Sequence, residues 1–366
     1  MELTTVWFLL IAVLWTGYFL LEGFDFGVGV LMPVLAPRKA PHSDVDRRVM
    51  INSIGPVWDG NEVWLLVAGG ATFAAFPEWY ASLFSGFYLA LLVILAALIA
   101  RGVAFEFRGK IDSDRWRRNW DRAIFWGSAV PALLWGVAFA NILQGVPLDA
   151  RHHYTGTLLD LLNPYALLGG LTTLSVFTLH GAVFLTLKTR GHVRDQARRA
   201  IRFIAPPTVV SAASFLVITG MRFGVPWTWA TTAVAALALA GGVAAALRGR
   251  DGWAFTGTAV AIVATVATLF GDLWPAVLPS SIDPAYSLTV DNAASSPYTL
   301  TVMTWVAVIF TPIVLGYQAW TYWVFRTRLT REAIVPPAPA GPTGAGAPAR
   351  PAEGPRTGRA AERSRA

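Results

Sequence analysis

The fold is decided by EGFDFGVGVL at residues 22–31 and by MINSIGPVWDGNEVWL at residues 50–65. Each stretch places two acidic residues, three positions apart, within a run of apolar, aromatic and glycine residues. The apolar runs around them approach the roughly 20 residues that a helix needs to cross a bilayer. Both stretches therefore predict membrane helices that carry charge on one face.

The same hydropathy extends over most of the chain, which has 366 residues, 55% hydrophobic and only 14% charged, with a mean hydropathy of +0.51. This composition predicts an all-α integral membrane protein. A window of about 20 residues gives nine membrane-spanning helices. They are expected at residues 5–35, 50–76, 79–100, 123–143, 165–187, 203–221, 227–247, 254–273 and 300–325.

The basic residues are distributed very unevenly between the connections. Of the 29 Lys and Arg, all except Arg151 and Arg222 follow the first, third, fifth, seventh or ninth span. The positive-inside rule therefore predicts an amino terminus outside the cell and a carboxyl terminus in the cytoplasm. The net charge of +7 is then a sign of topology, and no nucleic-acid partner is expected.

The chain divides into a membrane domain and a tail. Residues 1–332 form the polytopic membrane domain, and the connection at residues 271–299 is interpreted as an ordered external loop or short cap. Residues 333–366 are rich in Pro, Ala and Arg without an apolar period, which predicts a disordered cytoplasmic tail.

Acidic residues within a membrane helix cost about 2.5–3.5 kcal/mol each on insertion scales, so four of them need an explanation. They lie at similar depth on two antiparallel helices, in the predicted cytoplasmic half, where they could face one another or one cavity. We interpret them as a proton pathway open to the cytoplasm, formed by Glu22, Asp25, Asp59 and Glu62. In the alternative interpretation they are structural, and either pair with Arg101 or Arg47 or are hydrogen-bonded at an interfacial helix end.

Glycines beside the acidic residues predict close helix packing. Gly23 and Gly27 form a small-xxx-small pair, and Gly29 and Gly60 are assigned the same role. The chain has no Cys, and His180, the one His within a predicted span, is interpreted as a polar packing residue. We therefore expect no metal site, no haem ligand and no catalytic residue in this chain.

The quoted stretches closely resemble subunit II of the cytochrome bd quinol oxidases. The combination of GFDFGVG and WDGNEVW is highly specific, and the resemblance extends over about residues 2–332. Further stretches that carry it include RGVAFEFR at 101–108, GVAFANILQGVP at 136–147 and LPSSIDPAYSLTV at 278–290. The resemblance implies two four-helix bundles and one peripheral helix, in the bacterial cytoplasmic membrane.

The resemblance also implies an obligate heterodimer with subunit I, which would hold two b-type haems and one d-type haem. That complex oxidises quinol and reduces O2 to water, and it generates proton-motive force without pumping. This chain would support assembly and proton delivery to the haem site. The family pattern leaves room for a small single-span accessory subunit and a bound structural quinone.

Individual roles follow from the same resemblance. Asp59 would belong to a proton path along the boundary with subunit I, with Asp25 nearby, and Trp58 and Trp64 would contact a quinone. Arg101 and Glu106 match the motif after the third span, which indicates an interfacial salt bridge or snorkelling side chains.

Two other functions remain open on the sequence alone. Buried carboxylates and glycine-rich helices are also features of proton-coupled secondary transporters and channels. A purely structural membrane partner without a proton role is the third interpretation. It predicts that Asp59→Asn leaves turnover intact.

Overall fold

A computed structural model describes residues 2–334, so most of the predicted tail lies outside the described residues. The described chain is mostly helical. Its α-helices are α1 (Leu3–Leu35), α2 (Ser43–Ile54), α3 (Trp58–Ala75), α4 (Pro77–Gly86), α5 (Tyr88–Phe107), α6 (Asp114–Gln144), α7 (Pro164–Lys188), α8 (His192–Arg222), α9 (Thr228–Leu247), α10 (Asp251–Leu273), α11 (Pro297–Val324) and α12 (Arg331–Ile334).

Eight of these helices are long and apolar enough to cross a membrane: α1, α5, α6, α7, α8, α9, α10 and α11. The chain is therefore a helical multi-pass membrane protein. The expected span that is absent from these eight is the second, at residues 50–76; it corresponds to α3, whose 18 residues rise about 27 Å at 1.5 Å per residue, close to the thickness of a bilayer core. A count of nine spans, and their orientation, stay predictions.

The second expected span, residues 50–76, is not continuous in the structure. Helix α2 ends at Ile54, and α3 begins at Trp58. Pro56 lies in the break, where it has no N–H to donate and its ring crowds the preceding turn. This break sets the rotation of α3, and with it the directions of the acidic side chains at its start.

The third expected span, residues 79–100, is shifted in the structure. Helix α4 ends at Gly86, and α5 runs from Tyr88 through Arg101 to Phe107. The predicted span ends before Arg101 because a hydropathy window counts every Arg as strongly polar, whatever its partners in the fold. In the fold, Arg101 forms an ion pair inside the bundle, so the helix continues past it.

Helix α1 is the centre of the molecule and packs against α3, α6, α7 and α10. Aromatic rings fill much of this contact: Trp15 lies edge-on to Trp135 and Phe139, each at a centroid distance of 4.9 Å. Glycines allow the closest approach, since a Cβ added at Gly27 would lie 2.8 Å from the Cα of Gly181 on α7. The core is thus built on α1.

Helix α11 lies at the periphery. Leu300 is its one buried residue. Its contacts with the bundle include hydrogen bonds from Trp7 Nε1 to the Leu300 carbonyl oxygen at 3.2 Å and to Thr304 Oγ1 at 3.1 Å. Most of its apolar surface is left to lipid or to another chain.

The connection predicted to be an external loop is ordered. It contains the antiparallel strands β1 (Ala276–Leu278) and β2 (Leu288–Thr289) and packs on the connection between α6 and α7. Ser280 Oγ donates to the Leu148 carbonyl oxygen at 3.0 Å, and Val146 N donates to the Pro279 carbonyl oxygen at 3.0 Å. The two connections form one cap over this end of the bundle.

Candidate functional site

The centre of the site is an ion pair between α1 and α5. Arg101 Nη2 bonds Glu22 Oε1, and both side chains are fully buried. The same guanidinium lies 3.8 Å from Glu62 Oε2 on α3, and its Cζ is 4.7 Å from the centroid of the Phe26 ring. One arginine therefore joins carboxylates from two helices inside the membrane domain.

Asp25, one turn beyond Glu22 on α1, is held by an amide on α3. Asn61 Nδ2 donates to Asp25 Oδ2 at 2.7 Å. The other end of the amide, Asn61 Oδ1, accepts from Tyr322 OH at 2.7 Å and from Gln318 Nε2 at 3.2 Å, both on α11. Asn61 thus connects the carboxylate cluster to the peripheral helix.

Asn61 was not among the predicted site residues, although it lies within WDGNEVW between the acidic residues Asp59 and Glu62. An amide on an apolar helix indicates a polar site, because a buried amide needs hydrogen-bond partners. Trp64 Nε1 extends the same network by donating to Gln318 Oε1 at 2.9 Å. We call Glu22, Asp25, Asn61, Glu62 and Arg101 the carboxylate cluster.

The carboxylate cluster contains more acidic groups than basic ones: Arg101 faces Glu22, Asp25 and Glu62. Within residues 2–334, Glu22 Oε2 and Asp25 Oδ1 are buried without a hydrogen-bond partner. Ionisation of all three carboxyl groups beside one arginine would leave net negative charge in a medium of low dielectric constant. The arrangement is therefore suited to holding a proton.

Asp59 lies outside the carboxylate cluster, and its place in one pathway with the other three acidic residues stays a prediction. Asp59 is exposed in the first turn of α3, whereas Glu62 is half-buried with 21% of its side chain accessible. The rotation that turns Asn61 toward α1 turns Asp59 away. Glu62 lies one turn from Asp59 and so links it to Arg101.

Arg101 and Glu106 are separated by the structure. Arg101 does not snorkel to the interface, because its side chain is wholly enclosed. Glu106 is exposed near the end of α5. Of the two arginines that could pair with the acidic cluster, Arg101 pairs with Glu22, whereas Arg47 lies at the helix ends and binds Asp121 at 2.5 Å.

The two tryptophans expected to contact a quinone lie on different sides of α3. The Trp58 ring is 5.1 Å from the Phe105 ring on α5. The Trp64 ring packs against α1, where a Cβ at Gly17 would collide with it, and its indole nitrogen bonds α11. The expected quinone contacts of the two residues stay predictions.

The four glycines that were assigned a packing role differ in how closely other atoms approach them. A Cβ at Gly23 would lie 2.7 Å from the Phe177 ring, and a Cβ at Gly29 would lie 2.8 Å from Ser128 Cβ. Gly27 meets the backbone of α7 as described above. Gly60 has no such contact among the described residues, since nothing lies within 4 Å of a Cβ placed there, and its packing role stays a prediction.

His180 does not suit haem ligation. Its Nδ1 lies 2.7 Å from Thr258 Oγ1, its Nε2 lies 3.2 Å from the Leu20 carbonyl oxygen, and its ring stacks on Phe255 at 4.7 Å. Both ring nitrogens are therefore engaged within the bundle. No group of three or more His, Asp or Glu residues suited to a metal ion occurs in residues 2–334.

Ion pairs fasten the helix ends that carry the basic connections. Asp46 at the start of α2 accepts from Arg331 Nε at 2.6 Å and Nη2 at 2.7 Å, which raises the pKa of Arg331 above its ordinary value. Between α11 and α12, Leu329 N donates to the Lys188 carbonyl oxygen at 2.9 Å. The segment after α11 is thus bound across the end of α7.

The fold and the site together define a class: a polytopic helical membrane subunit whose distinctive polar site is a buried arginine–carboxylate cluster. The chain matches the family described as "Cytochrome bd terminal oxidase subunit II" over residues 3–325, and it belongs to that family. The resemblance read from GFDFGVG and WDGNEVW is thereby confirmed.

Similar proteins cover nearly the whole chain. It is 41% identical over 336 residues to "Cytochrome bd ubiquinol oxidase subunit 2" of Bacillus subtilis, with 90% of this chain and 98% of that protein covered. It is 38% identical over 367 residues to "Cytochrome bd-I ubiquinol oxidase subunit 2" of Escherichia coli strain K12, with 90% and 96% covered.

A solved bd oxidase from Geobacillus thermodenitrificans shares the fold with a TM-score of 0.73 at 16% sequence identity. The similarity covers 89% of this chain and 99% of that chain. Family membership does not favour the transporter or channel interpretation.

Proposed function

We propose that this chain is the haem-free subunit of a bd-type quinol oxidase, where it supports assembly with subunit I and delivers cytoplasmic protons toward the haem site. The family match over residues 3–325 supports the assignment to the complex. The observation that carries the proton role is the carboxylate cluster: acidic groups of α1 and α3 around one enclosed arginine.

In this proposal, subunit I holds two b-type haems and one d-type haem, which would supply the electron transfer and the reduction of O2. Quinol is the electron donor, and the complex lies in the bacterial cytoplasmic membrane. Protons are released outside and taken up inside, so proton-motive force arises without pumping. A small accessory subunit and a structural quinone beside Trp58 are compatible with this arrangement.

The proton route begins at the exposed carboxylate of Asp59. The next group is Glu62, which is half-buried, and beyond it lie Glu22 and Asp25, which are fully buried. A carboxylate accepts a proton on one oxygen and can release it from the other after a rotation, so a series of such groups can transfer protons through a dry interior.

Two other residues of the carboxylate cluster would assist proton transfer by the carboxylates. Arg101 stabilises the ionised form of Glu22, which a hydrocarbon interior would otherwise oppose. Asn61 donates to one oxygen of Asp25 and so leaves the other, Oδ1, without a partner among the described residues. That oxygen is the position where Asp25 would take up a proton.

The assembly role is supported by exposed apolar surface on α3, the helix that carries the start of the route, and on α5. Large apolar side chains on α3 and α5 are exposed, among them Leu66, Val67, Leu92 and Val93. Single exposed apolar residues are normal in lipid, but Asp59 on the same element needs a polar partner. Contact with subunit I along α3 would cover both.

The test is oxygen consumption by the purified two-subunit complex with a quinol donor. Asp59→Asn, Glu62→Gln and Asp25→Asn should each slow turnover by about tenfold or more, as expected when a proton-transfer group is removed. Haem absorbance should be largely retained. Glu106→Gln is the matched control, because Glu106 is an exposed carboxylate on α5 outside the cluster.

Unchanged turnover in all three variants would refute proton delivery and favour the purely structural interpretation. Loss of haem absorbance together with turnover in Asp25→Asn would assign this residue to assembly. The exposed Asp59 then decides the proton role, because its replacement removes no hydrogen bond observed within residues 2–334.

A further inference from the structure

A cavity of about 510 Å3 lies where five elements meet near the helix ends that carry the basic connections. Its walls come from α1, the junction of α2 with α3, the end of α7, the start of α10, and the end of α11 with the segment that follows it. The volume is within the range of about 300–1,000 Å3 that is usual for small-molecule sites. Neither the carboxylate cluster nor the proposed proton route uses it.

The interior of the cavity is apolar and rich in aromatic rings. Phe24 and Phe184 stack with a centroid distance of 4.1 Å, and Phe255 lies beside them. Leu20, Leu187 and Ala259 complete this part of the wall. Such a surface favours hydrocarbon and opposes a fully hydrated ion.

Its other end is basic. Lys188, Arg326 and Arg328 line the cavity there. Lys188 Nζ donates to the Phe325 carbonyl, and Arg326 Nη1 donates to the Trp323 carbonyl at 2.6 Å; neither residue forms an ion pair within residues 2–334.

The third basic residue, Arg328, lies 3.9 Å from a carboxylate oxygen of Asp251, which is already bound by Arg194 at 2.5 Å. The basic end of the cavity therefore carries positive charge that the described acidic residues do not neutralise. A phosphate group would supply the missing negative charge.

We propose that this cavity binds an anionic phospholipid. Its phosphate would lie at the basic residues Lys188, Arg326 and Arg328, and the part of its acyl chains nearest the headgroup would lie against the phenylalanine rings of the wall. Charge complementarity selects the anionic headgroup, and the apolar walls select a lipid over a soluble anion. Juxtamembrane Lys and Arg attract anionic lipids by about 1 kcal/mol each, so the position at basic helix ends suits this occupant.

The bound lipid would join the peripheral helix to the bundle. Residues of α11 on the cavity wall include Tyr322, whose hydroxyl bonds Asn61 in the carboxylate cluster. Because α11 has few other buried contacts, a lipid between it and α1 and α7 would hold Tyr322 in place. The binding claim itself does not depend on the proposed proton route.

The experiment is native mass spectrometry of the delipidated two-subunit complex, titrated with dioleoyl phosphatidylglycerol and, separately, with dioleoyl phosphatidylcholine. The double variant Arg326→Gln/Arg328→Gln should bind phosphatidylglycerol about 30-fold more weakly, from two charges at about 1 kcal/mol each. The control Arg248→Gln/Arg250→Gln removes two exposed charges at the same helix ends but outside the cavity wall, and it should bind normally.

A second variant tests the apolar part. Ala259→Phe leaves every charge in place but fills the space for the acyl chains, so phosphatidylglycerol binding should again weaken. Ala259→Leu serves the same purpose if the larger side chain prevents assembly. Sodium phosphate in millimolar excess should not displace the lipid.

Equal phosphatidylglycerol binding by the double variant and its control would overturn the proposal. Equal affinity for phosphatidylcholine and phosphatidylglycerol would also overturn it, since the charges would then select nothing. Displacement by inorganic phosphate, with no effect of filling the cavity, would show a soluble-anion site instead.

Discussion

Removal of the Arg101 charge should destabilise the folded complex more than neutralisation of any one carboxylate around it. The Arg101→Met variant keeps a long, unbranched side chain but leaves Glu22 fully buried without its cation. Breaking a buried ion pair by removing one partner costs about 3–5 kcal/mol. Loss of the contact with the Phe26 ring, 4.7 Å from the guanidinium, adds about 0.5–2 kcal/mol.

Glu22→Gln should be milder. Its amide can still accept a hydrogen bond from Arg101, whose charge remains compensated by Glu62 at 3.8 Å, so the expected cost is about 1–3 kcal/mol. At roughly 2 °C per kcal/mol, the melting temperature should fall by about 7–14 °C for Arg101→Met and by about 2–6 °C for Glu22→Gln.

The assay is thermal unfolding of the purified two-subunit complex, followed by tryptophan fluorescence and by recovery of the intact complex after heating. The double variant Glu22→Gln/Arg101→Met should melt above Arg101→Met, because it leaves one fewer buried carboxylate without a cation. The reasoning is refuted if Arg101→Met melts within about 2 °C of the unmodified complex, or if the double variant is the least stable of the three.

Three further predictions concern packing, hydrogen bonding and the helix ends. Gly27→Leu should lower the yield of assembled complex several-fold, because overpacking against a facing backbone costs about 1–3 kcal/mol. The control Gly241→Leu has open space around it and should leave the yield normal, so equal yields from the two variants would contradict the packing role of Gly27. Asn61→Leu removes four side-chain hydrogen bonds, to Asp25, the Leu21 carbonyl oxygen, Gln318 and Tyr322, each worth about 0.6 kcal/mol in a membrane. The melting temperature should therefore fall by about 5 °C, and an unchanged value would argue against the Asn61 network. Arg331→Gln breaks the ion pair with Asp46 and should speed amide hydrogen exchange in residues 326–334, measured by mass spectrometry, by up to about fivefold. The effect is modest because Arg331 is partly solvated. Unaltered exchange would show that other contacts hold this segment.

The long hydrophobic runs were predictable because span length and composition are local properties. The window at residues 227–247 corresponds to α9, Thr228–Leu247, and the window at 254–273 corresponds to α10, Asp251–Leu273. Errors arose where local composition and tertiary pairing disagree. Arg101 seemed to end a helix that in fact continues to Phe107, because its compensating charge, Glu22, is 79 positions away in the chain.

The site was predictable in part for a similar reason. Spacing alone put Glu22 and Asp25 on one face of a helix, and the structure brings both into the carboxylate cluster. The partner face on α3 depends on the break at Pro56, which sets the rotation of that helix. As a result Asn61 faces inward and Asp59 faces outward, an outcome that spacing on α3 does not reveal.

Hydropathy along the chain is enough to predict a multi-pass helical membrane protein, and contiguous motifs such as WDGNEVW are enough to predict its family. These properties lie in composition and in contiguous residues. By contrast, the enclosure of Arg101, the hydrogen bond from α11 to Asn61, and the cavity between basic and aromatic side chains are visible only in the folded chain. Such features require residues far apart in the chain to come within a few ångströms, and helix rotation and close glycine contacts decide which residues do so.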